Sequence, residues 1–252
     1  MTKWLGEFPL LRQQLAGLEI LTETNSTNDV LKSEALADYT AVLTDHQTAG
    51  RGRMGRTWVS APGHGLAFSV LVPGTSPSQQ SWLPLVAGAS VVGAARAQGV
   101  MNAELKWPND VLVEGRKLAG ILCEVRPDGR VIVGIGVNVD YSTGGLPSEE
   151  ATSLAEFGEV SPQSIDALLA TVVSSLREFV DTPAPGALTL AKGSVEDVLA
   201  TLGREVSVHE VRETKWRGLA LSLTNDGHLL VREGVTGVER IVVASDVRHL
   251  RQ

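Results

Sequence analysis

Residues 131–139 read VIVGIGVNV. Side chains alternate across a strand, so Val131, Val133, Ile135, Val137 and Val139 form one continuous apolar face. The other face is Ile132, Gly134, Gly136 and Asn138. Two neighbouring glycines leave a hollow in a sheet surface, and glycine inside a strand marks close approach by a ligand or by another part of the chain. The pattern leaves both uses open, with Asn138 at the rim of the hollow.

Upstream, Val111–Val113, the turn Glu114-Gly115-Arg116 and Lys117–Val125 read as a hairpin. Strict alternation puts Lys117 on one face with Ala119, Ile121, Cys123 and Val125, at the mouth of an apolar surface. A lysine there either snorkels or serves a site. Just before the hairpin, Lys106-Trp107-Pro108-Asn109-Asp110 closes a short strand. Pro108 forces Trp107 into an extended conformation, so polar groups and an indole gather at one strand end. Leu66–Val72 alternates as a further strand. Shorter strands are expected at 41–44 and 18–23, and a small-residue buried helix at 80–98. Asn25-Ser26-Thr27-Asn28-Asp29 supplies strong N-caps for a helix over VLKSEALA, residues 30–37. That run holds more hydroxyls and amides than a cap requires, so spare groups are expected to face a polar ligand.

The remaining helices are expected at 9–16, 152–157, 162–180 and 185–192. From Leu202 the texture changes to short alternating strands at 205–211, 215–223, 228–232 and 238–243, separated by turns such as Asn225-Asp226-Gly227. The expected domain cut therefore falls near residue 200, giving 1–200 and 201–252.

The segment from Gln47 to Trp58, QTAGRGRMGRTW, has a different character. Gly50, Gly52 and Gly55 let the backbone approach a ligand closely. Arg51, Arg53 and Arg56 offer planar, permanently charged donors suited to carboxylate and phosphate. The segment cannot bury an apolar face, so a mobile loop that orders over an anion is expected. It is neither a P-loop nor a dinucleotide fingerprint, because no Gly-Lys-Ser/Thr follows and no parallel unit surrounds it. The chain carries a net charge of −7. Wholesale nucleic-acid binding usually needs the opposite sign, so the loop reads as a local positive spot for a small anion. A single cysteine, Cys123, excludes an internal disulfide framework and suits a reducing cytoplasm. It lies in an apolar run and reads as a structural thiol. No signal-peptide or membrane-spanning pattern is present, and the apolar run 83–95 is too short to span.

Ser26-Thr27-Asn28, GRGRMGRTW, KWPND, KLAGIL and GIGVNV occur in the order and spacing seen in biotin protein ligases. The chain resembles that family strongly over residues 24–140 and weakly through the C-terminal β module. Met54 stands where the family often has arginine; Arg51, Arg53 and Arg56 remain. The resemblance implies an α+β fold, with a central mixed β-sheet flanked by helices and a small C-terminal SH3-like β-barrel. It implies that biotin and ATP give biotinyl-5'-AMP and pyrophosphate. The biotinyl group then passes to one lysine of a biotin carboxyl carrier domain of a carboxylase such as acetyl-CoA carboxylase. Lys117, Arg53 and Asp110 are the implied catalytic residues. Ser26, Thr27, Asn28, Gln47, Gly50, Arg51, Gly52, Arg53 and Lys117 are implied for biotin. Arg53, Arg56, Lys106, Asn109, Asn138 and the terminal Arg251 are implied for ATP. Mg²⁺ is expected on the phosphates, held by substrate and water, with no protein metal site.

Some relatives carry an N-terminal winged helix and repress the biotin operon. Such a domain would need more chain than the 25 residues ahead of Ser26, so a ligase without sequence-specific DNA binding is expected. Three other readings are a lipoate ligase or octanoyltransferase of the same fold class, an Arg/Gly nucleic-acid binder, and a biotin-sensing regulator. The first would not be expected to combine KWPND with GRGRMGR, and the charge opposes the second.

Overall fold

The computed structural model describes residues 4–33, 35–209, 215–243 and 246–250. Strands β1 (Gly17–Leu21), β2 (Thr40–Thr44), β3 (Gly65–Val72), β4 (Ala103–Lys106), β5 (Asp110–Val113), β6 (Arg116–Val125) and β7 (Val131–Asn138) form one sheet. Their order is β1-β2-β3-β7-β6-β5-β4. Only β1 and β2 run parallel; every other pair is antiparallel, so the sheet is mixed as expected. The VIVGIGVNV strand lies near its middle, between β3 and β6.

The two faces of β7 separate as the alternation predicts. Val131, Val133, Ile135 and Val137 enter the main core beneath helices α3 (Pro77–Ala97) and α4 (Pro162–Asp181). α3 approaches closely through a small residue: a Cβ on Gly88 would press on Leu105 and Ile121 side chains. α3 starts earlier than its apolar run, because Ser76 caps it by accepting from Gln79 N. α5 (Ala184–Glu196) completes the helical layer.

Two helices stop short of expectation. α1 covers Pro9–Arg12 rather than 9–16; Asp166 of α4 accepts from Leu10 N and Leu11 N at its start. α2 covers only Thr27–Val30, not 30–37. The chain there is drawn into tertiary contacts instead. Leu31 is buried with Val42, Leu71 and Ile132, and the carbonyls of Leu31 and Ser33 accept from Arg126 Nη1. Ser26 occupies the N-cap position of α2 without a side-chain cap bond. Residues 152–157 hold a single 3₁₀ turn, Leu154–Glu156.

The second sheet is antiparallel, in the order β11-β10-β9-β8-β12. It contains β8 (Glu205–His209), β9 (Lys215–Leu223), β10 (Leu229–Glu233), β11 (Glu239–Val242) and β12 (Asp246–His249). This matches a small SH3-like module, with one strand, β12, that periodicity missed because four residues with three polar side chains carry too little pattern. The module is tied to the first sheet. Leu105 exchanges backbone bonds with Val198 and Ala200, each 2.8 Å. The indoles of Trp82 and Trp107 donate to Asn225 O and Gly227 O in the β9–β10 turn.

His249 of β12 lies within the joint, 3.0 Å from Thr201 Oγ1. Burial, with Lys106 and Arg204 nearby, pushes its imidazole down to about 4. Between that value and its ordinary one near ~6.5 the unfolded chain binds a proton that the folded chain does not, so acidification through this window favours unfolding. The unfolding midpoint should fall from pH 7 to pH 4.5, and His249→Asn should lose less over the same interval. Equal losses in both proteins would remove His249 as a source.

Candidate active site

The site is built on the face of the sheet away from α3 and α4. Antiparallel partners share a face, so the register places Ser69 opposite Gly134, Ala67 opposite Gly136, Gly120 opposite Gly136 and Leu122 opposite Gly134. The same face continues outward through Asp110, paired with Gly120, to Lys106, paired with Asp110.

Lys117 joins that face against the expectation from alternation. The β5–β6 register runs Val111 to Ala119 and then Leu112 to Lys117, so Leu118 is an extra residue in a bulge. The bulge sends Leu118 and Ala119 both into the core and turns Lys117 to the side of Gly120. Lys117 Nζ consequently sits 2.6 Å from Asp110 Oδ1 and 5.6 Å from the Trp58 ring centroid. The ammonium and carboxylate are in ionic contact without the angular alignment of a hydrogen bond.

The two glycines of β7 are indeed points of close approach, but protein side chains occupy them. A Cβ on Gly134 would collide with the Asn28 carboxamide, and one on Gly136 with the Trp58 indole. Asn28 is committed on both sides: Nδ2 donates to Glu124 at 2.6 Å, and Oδ1 lies 2.6 Å from Ser69 Oγ. It therefore shapes the floor rather than offering spare groups. Thr27 N donates to Gln47 Oε1 at 2.8 Å, which fixes that amide beside Gly50.

The Gly/Arg segment folds as a small hairpin over this floor. Arg51 bridges to Thr57, Gly52 N donates to Arg56 O, and Trp58 N donates to Gly50 O. Met54 carries the turn at φ 55°. Arg51 faces α2: its guanidinium grips both Asp29 oxygens at 2.6 and 2.8 Å and reaches Glu124 at 3.1 Å. That fork holds the Asp29 carboxyl down to about 2. Burial pushes Glu124 up, but Asn28 and Arg51 outweigh it and leave the carboxyl below its ordinary value.

One cleft of about 900 Å³, counting its open mouth, is enclosed by these parts. It brings together Ser26, Thr27, Asn28, Gln47, Arg51, Gly52, Arg53, Arg56, Lys106, Asn109, Asp110 and Lys117. Gly50 and Asn138 lie behind the wall. Gly50 packs on Trp58 and Gln47 in the hairpin base, and Asn138 Nδ2 donates to Lys117 O at 3.1 Å. Arg251 falls outside the described residues. Cys123 projects to the opposite face and packs against the main core, where burial pushes its thiol up to about 12. Sequence reasoning missed Trp58, Ser69, Asp29 and Glu124. Their traces were an aromatic closing the Gly/Arg run, a lone serine in an apolar strand, and carboxylates beside site residues. Among the described residues, no group of three or more His, Cys, Asp or Glu side chains gathers that could hold a metal ion.

A model of the biotin/lipoate A/B protein ligase family matches residues 18–141. The chain is 34% identical to a Mycobacterium tuberculosis biotin–[acetyl-CoA-carboxylase] ligase, covering 96% of this chain and 94% of that one. It is 30% identical to the bifunctional ligase/repressor of Bacillus spizizenii, over 93% of this chain and 74% of that one. The biotin protein ligase of Aquifex aeolicus, solved with biotin and ATP, superimposes with a TM-score of 0.77 at 32% identity, covering 94% of this chain and all of that one. The chain belongs to the biotin protein ligase family.

Because the Trp58 ring rests on bare backbone, Gly136→Ala should lift the indole and open the hairpin. Faster proteolysis within residues 50–58 and a red-shifted tryptophan emission, at an unchanged unfolding midpoint, are the expected results. Unaltered proteolysis and emission would mean that the sheet yields instead.

Proposed function

We propose that this chain activates biotin with ATP to biotinyl-5'-AMP and pyrophosphate, then transfers the biotinyl group to a lysine of a biotin carboxyl carrier domain. The observation that carries the reading is the convergence of Lys117, Lys106, Asp110 and the Gly/Arg hairpin on one cleft. The reaction needs two anions brought together, and a cleft walled by fixed cations lowers that cost. We read the chain as two domains, 1–200 carrying the chemistry and 201–252 buttressing it.

In the first step a carboxylate oxygen of biotin attacks the α-phosphorus, and pyrophosphate leaves with the bonding pair. Lys117 exchanges Asp110 for the incoming carboxylate and the developing phosphate charge. We assign Arg53 to the same junction and Arg56, Lys106 and Asn109 to the nucleotide, with Asn138 acting from behind the wall by holding the Lys117 carbonyl. Ser26, Thr27 and Gln47 address the ureido ring, a neutral group that needs donors and acceptors together. Asn28 contributes by shape. Gly50 and Gly52 hold the hairpin close to the ligand. Arg51 is drawn to Asp29 and Glu124, so its share in biotin binding lies in fixing the hairpin. Mg²⁺ accompanies the phosphates as part of the substrate, held by phosphate oxygens and water rather than by a protein cage.

In the second step a neutral amine attacks the acyl carbon and AMP leaves. Deprotonating a free lysine at pH 7 costs about 4–5 kcal/mol. We assign to Asp110, once released by Lys117, the task of orienting that amine and taking its proton. The acceptor is a carboxylase carrier domain. We place the reaction in the cytoplasm, whose reducing conditions suit a chain with a single cysteine.

ATP–pyrophosphate exchange tests the first step, with biotin, lipoate and octanoate offered separately. Exchange should require biotin, and Lys117→Ala should lower it at least a hundredfold while the protein stays folded. Exchange driven by lipoate would overturn the substrate, and normal exchange in the variant would overturn the role of Lys117. For the second step, Asp110→Asn should slow transfer from preformed biotinyl-5'-AMP at least tenfold. An unchanged transfer rate would exclude Asp110 as base.

A further inference from the structure

We infer that Thr201, at the entrance to the C-terminal module, is a positioning residue for the turn that carries Lys106, Asn109 and Asp110. The turn is clamped on both sides. Toward β6, Asn109 Nδ2 donates to Ile121 O at 2.8 Å, and Ile121 N donates to Asn109 O. On the outer side the sheet has ended, and residues 198–201 continue it by bridging to Leu105. Trp107 then makes two anchors. Its backbone N–H donates to Thr201 Oγ1 at 2.9 Å, and its indole donates to Gly227 O.

Thr201 is fully buried and Trp107 is 2% exposed, so water does not replace these bonds. A threonine hydroxyl has one proton. With its lone pairs facing the Trp107 N–H, that proton is available to His249 Nε2, 3.0 Å away. In that arrangement the imidazole is neutral with its proton on Nδ1; in the other neutral tautomer Nε2–H donates to the hydroxyl's second lone pair, and the link is kept. The low affinity of this buried ring for a second proton agrees. A continuous hydrogen-bonded path thus runs from β12 through Thr201 to the backbone between Lys106 and Asp110. The residues grouped around Ser26–Asn28 and Gln47 lie across the sheet, outside this path.

The inference rests on the ligase reading, with Lys106 and Asn109 on the nucleotide side. It separates the two substrates: disturbing Thr201 should weaken ATP and spare biotin. Thr201→Val keeps the shape and removes the hydroxyl, leaving a buried N–H without a partner. The KM for ATP in pyrophosphate exchange should rise about tenfold, with the KM for biotin within about twofold of the wild type. Thr201→Ser should restore wild-type values. Should Thr201→Val fail to fold, His249→Phe removes the next link and should raise the KM for ATP in the same selective way. A fall in kcat with both KM values unchanged, or Thr201→Ser as impaired as Thr201→Val, would reduce Thr201 to a packing residue. Wild-type protein without biotin-dependent exchange would overturn the ligase reading and this inference together, before any variant is made.

Discussion

Asn28 and Trp58 rest directly on the backbone of β7, and the cleft depends on that contact. A sheet normally presents a layer of side chains about as thick as a methyl group or more. At Gly134 and Gly136 that layer is absent, so α2 and the Gly/Arg hairpin descend until their own side chains touch the main chain. Gly120 on β6 extends the bare area toward Lys117. The floor is therefore made of rigid, ladder-bonded backbone, while its walls come from two short segments separated by twenty residues of sequence. The same strand anchors the helical core with its other face. One nine-residue stretch holds up both the fold and the site.

The cations of the site divide by what they already touch. Arg51 is gripped by a two-oxygen fork and a second carboxylate, a geometry matched to guanidinium and hard to displace. Lys117 has a single, poorly aligned carboxylate partner, and its side chain is more than a third exposed. The Asp110 oxygen it touches is buried, yet its poor alignment makes this contact weaker than a two-oxygen fork. An anion bound beside Lys117 would compete with Asp110 for the ammonium. The acidic character of the protein as a whole does not oppose this, because the local field is set by the groups within a few ångströms.

Much of the fold was legible in the sequence because its signals are periodic. β3, β6, β7 and the long helices bury complete faces, and the turns between the C-terminal strands announce themselves through Asn-Asp-Gly and similar runs. The failures have particular causes. VLKSEALA has good helix formers, yet Leu31 is claimed by a small core and the following carbonyls by Arg126. β12 is too short and polar to show a period. Within the site, residue types were legible and partners were not. Nothing in GRGRMGR shows that Asp29 and Glu124 hold Arg51. Asn28 looked like a ligand-facing amide and proved to be a floor tile, because the carboxylate of Glu124 comes from a strand almost a hundred residues away.

The bulge at Leu118 makes chain length a variable of the site. Without the extra residue, a lysine at that place would follow strict alternation into the layer beneath α3, where its charge would have no water and no acid. With it, the same lysine meets Asp110. The geometry of the cleft thus resides partly in a count, the number of residues between the Glu114-Gly115 turn and Gly120. A one-codon slip in that interval would preserve every side chain lining the cleft and still exchange inside for outside, so the spacing of this hairpin is as much a part of the cleft as the amine it delivers.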